Sequence, residues 1–285
     1  MSELLQIPYR RSNPIRFTAD CNETVISPRH SARAHRAPRC ASTPEIIRRR
    51  TFKACLAALT LLAACTAGAA EVKPYLDASA VDLLHILPPP PADDSAQTLK
   101  ELGEILTIQV ARTPAMADRA RADSEESIWR FADVLGEKFN AASLPKLAAL
   151  SERLIKTEDV VVKPAKKGFN RPRPYVLNKL VEPLRAGTSS TPSGAWPSGH
   201  TTLGTLMGIV LANMLPEKKA ELMHRAWEYG DNRVIAGVHY RSDVEMGRIA
   251  GSVIAASLTT RPEYKSEFTA AQKELRAVLG LPAAP

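Results

Sequence analysis

The sequence predicts an all-α fold, a single-domain helical bundle. Three observations carry this. Apolar residues recur at three- and four-residue spacings across most of residues 95–279. No convincing run alternates apolar and polar residues as a half-buried strand would. The chain of 285 residues, 45% hydrophobic, is long enough for one medium domain with a sizeable core.

Element by element, residues 74–87 allow a short helix, and Pro88 to Pro91 then impose an extended segment. Asp93, Asp94 and Ser95 are cap candidates for a helix to about Thr113, with Leu99, Leu102, Ile105, Leu106 and Val110 in its pattern. The pattern repeats over 117–139 through Ile128, Phe131, Val134, Leu135 and Phe139, and over 142–156 through Leu144, Leu147, Leu150 and Leu154. Residues 163–197 are rich in Pro, Gly, Lys, Arg and Ser and predict a long polar loop. A structureless loop of that length in a small domain is usually functional. Helices then resume over 199–215, 217–238, 241–259 and 263–279.

The net charge of +8 points at first to nucleic acid, but residues 1–70 carry 11 Lys and Arg against 4 Asp and Glu. The remaining chain carries 27 against 26, which argues against a polyanion-binding body. Cys21, Cys40, Cys55 and Cys65 also lie in that first stretch, so composition excludes a disulfide or thiolate metal site in the body. Arg48-Arg49-Arg50-Thr51-Phe52-Lys53, the apolar run Ala54 to Ala64 and the small residues Ala67 to Ala70 read as a secretory signal over 46–70. Leu62-Ala63-Ala64-Cys65 also fits a lipobox, which would put a lipid anchor on Cys65 of an outer-membrane lipoprotein. Residues 1–45 read as a disordered or mis-assigned leader, which leaves 71–285 as the folded domain.

Three stretches carry chemistry. Ser198, in Pro197-Ser198-Gly199-His200, is a natural N-cap, and Gly199 lets a ligand approach the first N–H groups of the helix. His200 adds a group that exchanges a proton near neutral pH. The plain alternative is a capped helix with a surface histidine. His239 and Asp243 stand four residues apart, a spacing that places both on one helical face. A carboxylate on one ring nitrogen leaves the other as nucleophile or base; a structural hydrogen bond is the alternative. Arg233 is six residues before His239, within reach of the same pocket or of a surface salt bridge. Lys166 and Arg173 supply a point charge and a planar fork suited to phosphate oxygens, or line a solvated basic loop.

Taken in order, Lys166 with Arg173-Pro174, then Pro197-Ser198-Gly199-His200, then Arg233, His239 and Asp243, the three stretches resemble the signature of the type 2 phosphatidic acid phosphatase superfamily, which vanadium haloperoxidases share. Tyr75-Leu76-Asp77, Leu87-Pro88-Pro89-Pro90-Pro91, Asp94-Ser95-Ala96-Gln97 and Glu228-Tyr229-Gly230 resemble the class A bacterial non-specific acid phosphatases, so the similarity spans about residues 74–260. One position departs: Asn232 stands where the family usually has Ser, which implies retuned contacts.

The resemblance implies the superfamily's helical bundle and a broad-range acid phosphatase, secreted to the periplasm. Lys166, Arg173, Ser198, Gly199 and Arg233 would bind phosphate oxygens. His239 would attack phosphorus, Asp243 would orient it, and His200 would protonate the leaving alcohol. No metal or other cofactor is required, because the cations supply the charge. The partners implied are small phosphomonoesters and inorganic phosphate, with a homodimer as a family expectation. Histidines of pKa about 6.5 in these roles predict a mildly acidic optimum. Phosphate-binding cations should lower the pKa of His239, and Asp243 should raise it. His224 and Glu228 read as a solvated face, and Trp196 and Tyr240 as pocket or packing residues. The alternatives within the superfamily are a vanadium-dependent haloperoxidase and a lipid or pyrophosphate phosphatase. An embedded lipid phosphatase needs spans of about 20 apolar residues, and Leu203 to Leu215 is too short. A phosphate-binding protein without activity has no need of both histidines.

Overall fold

The computed structural model describes residues 71–184 and 194–283. The leader, the signal segment with Cys65, and residues 185–193 of the expected loop lie outside them. The described residues form ten α-helices: α1 Leu83–Ile86, α2 Ala96–Ala111, α3 Pro114–Ala122, α4 Ala132–Leu135, α5 Pro145–Phe169, α6 Pro174–Leu177, α7 Gly199–Met214, α8 Lys219–Ile235, α9 Arg241–Leu258 and α10 Pro262–Val278. Two 3₁₀ turns, Ile128–Phe131 and Pro216–Lys218, link some of them. No strand occurs among the described residues, as the periodicity predicted. No helix among them is long and apolar enough to cross a membrane.

The bundle is built around α7. Its sequence is apolar or small on every side, and 13 of its 16 residues are buried. A helix hydrophobic all round belongs inside a protein. α8 and α9 flank it, with α5 and α10 on the remaining side. Close packing at the N-terminal end of α7 depends on two glycines of α9. A Cβ on Gly247 would sit 2.7 Å from the Ser198 carbonyl oxygen, and one on Gly251 2.5 Å from that of Thr202. Both obstacles are backbone, so α9 lies against the start of α7 only because these positions lack a side chain.

Two expectations are corrected. The predicted helix over 117–139 is broken: α3 ends at Ala122, and residues 123–127 turn before the first 3₁₀ segment. Tertiary contacts override the helical pattern here. The buried Asp123 carboxylate receives Arg225 (2.9 and 2.5 Å), Arg130 (3.0 Å) and Asn232 Nδ2 (2.7 Å). The Tyr229 hydroxyl donates to the Glu125 carbonyl, and Ser127 Oγ caps the 3₁₀ segment. The turn is thereby fastened to α8. The second correction lengthens α5, which runs through Pro164 to Phe169 and so takes in the first part of the expected loop. Its buried stripe continues through Leu154, Thr157, Glu158, Val161, Val162 and Ala165, while Pro164 faces solvent. Asn170, in the left-handed conformation at φ 46°, ends the helix. Lys166 therefore stands on the last turn of a rigid helix.

Candidate active site

The His239 end is built by the junction of α8 and α9. Gly237, at φ 69°, turns the chain after α8, and Asp243 falls in the first turn of α9, where a carboxylate is favoured. Asp243 Oδ2 accepts the Tyr240 N–H at 2.8 Å and lies 3.1 Å from His239 Nδ1. Arg173 Nη1 lies 2.9 Å from the other ring nitrogen, Nε2, and also donates to the Val238 carbonyl at 2.9 Å. An arginine can only donate. The two contacts together assign the proton of His239 to Nδ1 and a lone pair to Nε2.

Behind Asp243 lies a residue the sequence did not single out. Arg171 Nη1 donates to Asp243 Oδ1 at 2.7 Å and to Ser242 Oγ at 2.9 Å. Its Nη2 reaches Thr98 Oγ1 and Glu101 Oε2, both at 3.3 Å, and Ser242 Oγ donates to Glu101 Oε2 at 2.8 Å. The guanidinium lies over the Tyr240 ring, 4.0 Å from its centroid. Tyr240 and Trp196 are both buried as packing residues, and Trp196 Nε1 donates to the Pro88 carbonyl. A buried relay from Glu101 through Arg171 and Asp243 to His239 results.

The other end is built from the start of α7. Ser198 is the N-cap, as its position implied, receiving the Thr201 N–H at 3.4 Å and the Thr201 hydroxyl at 2.9 Å. Its own N–H donates to the Asp243 carbonyl at 3.0 Å, which joins the first turns of α7 and α9. His200 Nε2 donates to the Ser124 carbonyl at 2.9 Å, and its Nδ1 lies 3.2 Å from Glu126 Oε1. Lys166 Nζ donates to the carbonyls of Gly194 (3.0 Å) and Pro197 (2.8 Å), holding the strand of chain that leads into α7.

A cavity of about 190 Å³ opens between these groups. Lys166, Arg173, Gly199, His200 and His239 line it, so five of the eight singled-out residues share one wall. Ser198 and Asp243 stand behind it, and Arg233 is buried off the wall. Arg233 Nε and Nη1 are buried and have no hydrogen-bond partner among the described residues. Glu126, Glu158 and Asp159 also line the cavity and carried no signal in the sequence; Glu126 lay inside the helix expected over 117–139. Asn232 gives its side-chain N–H to Asp123, so its contact is with the turn. A larger groove, about 850 Å³, runs between α3 and α8 past Met116, Met223 and Trp227, but gathers no such chemistry. Glu228 on its edge is not simply solvated: Arg119 grips it with two hydrogen bonds of 2.9 Å. Among the described residues no three His, Cys, Asp or Glu side chains gather as a metal site.

Electrostatics at the cavity are dominated by burial and by fixed cations. Burial lowers the pKa of His239 well below the ordinary histidine value, and Arg173, Lys166 and Arg233 add to the effect. His200 is lowered likewise, by burial and then Arg233, against the opposing hydrogen bond to Ser124. Burial raises the Asp243 carboxyl, while the Arg171 guanidinium and the Tyr240 N–H favour its charged form. It also lowers Lys166, with Arg173 adding to the effect, and brings Arg233 down to about 10.

A model of the PAP2 superfamily matches residues 154–267, which contain all eight singled-out positions. The non-specific acid phosphatase of Salmonella typhimurium is 34% identical over 225 residues, 76% of this chain and 90% of its own length. The chain belongs to the class A non-specific acid phosphatases. Family membership makes it a phosphomonoesterase. An acid phosphatase of Zymomonas mobilis is 30% identical over 68% of this chain and 75% of its own. The non-specific acid phosphatase of Providencia stuartii is 28% identical over 70% and 82%. Among solved structures, a bacterial vanadium-dependent iodoperoxidase aligns with a TM-score of 0.43 at 18% identity, over 61% of this chain and 52% of its own. The chain thus spans about half the length of that peroxidase.

Proposed function

We propose that this acid phosphatase hydrolyses small phosphate monoesters through a phosphohistidine on His239, without a metal ion. The observation that carries the reading is the single-tautomer imidazole: Asp243 on Nδ1, and on Nε2 a lone pair at a cavity lined by cations, held by Arg173 until a phosphate takes that guanidinium's hydrogen bond. Nε2 attacks phosphorus as the ester P–O bond breaks. His200 gives a proton to the departing alcohol oxygen. A water molecule then attacks the phosphohistidine, passes a proton to His200, and releases phosphate. Lys166, Arg173, Arg233, the Ser198 hydroxyl and the Gly199 N–H hold the phosphoryl oxygens and spread their charge. Arg233 is suited to this by its two buried nitrogens, Nε and Nη1, that have no partner among the described residues.

The pH dependence follows from the directions of the shifts. Because His239 is lowered, it stays neutral and nucleophilic as pH falls below the ordinary histidine range. His200, also lowered, must gain its proton when the phosphate dianion arrives, and it loses that proton again as pH rises. Activity is therefore expected on the acid side of neutrality, and it falls at lower pH as the Asp243 carboxylate takes up a proton. The test is glycerol phosphate hydrolysis from pH 4 to 9 with EDTA present, for the protein and for His239→Ala. An acidic optimum that survives EDTA, at least about a 10³-fold loss in the variant, and acid-labile label from ³²P-phosphate ester on His239 are expected. Full activity in His239→Ala removes the nucleophile, and loss with EDTA removes metal independence. We also propose export to the periplasm with cleavage of the signal over 46–70; the N-terminus of the mature protein, read by mass spectrometry, decides between cleavage near Ala70 and lipidated Cys65.

A further inference from the structure

A carboxylate beside a bound phosphate dianion repels it, so Glu126 on the cavity wall calls for a role other than binding. Its position is fixed from behind. The turn that carries it is fastened to α8 through Asp123 and the Glu125 carbonyl. Its neighbour Ser124 takes the Nε2 proton of His200, which leaves Nδ1 as the working nitrogen. Glu126 Oε1 meets that nitrogen at 3.2 Å. A nitrogen lone pair and a carboxylate oxygen do not attract, so the contact holds one proton between them.

We propose that Glu126 is a positioning residue that shares this proton with His200 Nδ1 and keeps it available until a leaving group takes it. The inference rests on the phosphohistidine reading above. The surrounding charges show why such a partner is needed. Arg233 from α8, Lys166 and Lys163 from α5, and Arg173 all bear on the site and oppose an imidazolium. Glu158 and Asp159 of α5 favour it, His239 faces the pair across the cavity, and Tyr229 of α8 stands near Glu126. Glu126 is the one acidic group of this set in contact with His200. Partial burial at the cavity wall raises its own pKa, which suits it to holding a proton at acid pH.

The proton balance is simple. The shared proton moves fully to Nδ1 when phosphate binds, and passes to the ester oxygen as the P–O bond breaks and the P–N bond to His239 forms. The alcohol leaves neutral, and the pair is left as imidazole and carboxylate. The water that cleaves the P–N bond returns one proton to Nδ1, and the pair is restored.

The test measures kcat/KM against pH for Glu126→Gln, Glu126→Asp and His200→Asn, with p-nitrophenyl phosphate and glycerol phosphate. The first substrate has a leaving group that departs without a proton; the second does not. For Glu126→Gln, the alkaline limb with glycerol phosphate should move about one pH unit to the acid side. The loss with glycerol phosphate should be about tenfold, against less than about threefold with p-nitrophenyl phosphate. Glu126→Asp, which keeps the charge, should restore much of the limb. An unmoved limb, or equal loss on both substrates, overturns the proposal. If His200→Asn separates the substrates and Glu126→Gln does not, only the role of Glu126 falls. If His200→Asn treats both alike, His200 is not the acid and the underlying reading falls with it.

Discussion

The two histidines sit on the same small cavity but are held in opposite ways. His239 is fixed by side chains that are themselves buried and paired, running back through Asp243 and Arg171 to Glu101. His200 is fixed by one backbone carbonyl and by a carboxylate whose side chain is 43% exposed. The difference matches two chemical tasks. A nucleophile needs one tautomer and one direction, which a buried, hydrogen-bonded network gives. An acid must lose and regain a proton every turnover, which a partner near solvent permits.

The sharpest way to break the comparison is at Asp243. Asp243→Asn keeps the shape but removes the charge that holds the Nδ1 proton of His239. It should lower kcat/KM by about 10³-fold, equally for p-nitrophenyl and glycerol phosphate. A loss confined to glycerol phosphate would mean that Asp243 serves the leaving group instead. Next comes Arg171→Met, which strands a buried carboxylate and should cost about 3–5 kcal/mol in urea unfolding. Arg171 opposes the burial that raises Asp243, so its removal raises that pKa further and moves the onset of residual activity to higher pH. A variant as stable as the parent would show that Asp243 does not depend on the relay.

Much of the fold was legible because its helices have apolar stripes. α2 and α7 to α10 fall within two or three residues of the expected bounds. The failures share a cause. The pattern through Phe131 and Leu135 was read as one helix, but contacts from Arg225, Arg130 and Asn232, distant in sequence or beyond the stripe, break it at Asp123. The helix expected over 142–156 is shorter than α5 because the Pro-, Gly-, Lys-, Arg- and Ser-rich composition from residue 163 onward reads as loop, whereas Pro164 faces solvent and the buried stripe runs on to Ala165. The site divides the same way. Residues inside contiguous motifs, such as His239 with Asp243, were visible as spacings. Arg171 and Glu126 were not, because their roles depend on partners about 70 residues away.

The unmatched N–H groups of Arg233 have a practical side. Buried donors with no protein partner are matched by any oxyanion that reaches them, and only in the folded state. Orthophosphate, the reaction's own product, is such an anion. Millimolar phosphate should raise the melting temperature by several degrees, and less so for Arg233→Lys, read by differential scanning fluorimetry. The same anion occupies the cavity that a substrate needs. Phosphate buffer will thus make this enzyme look sturdier on the bench while slowing the very turnover being assayed.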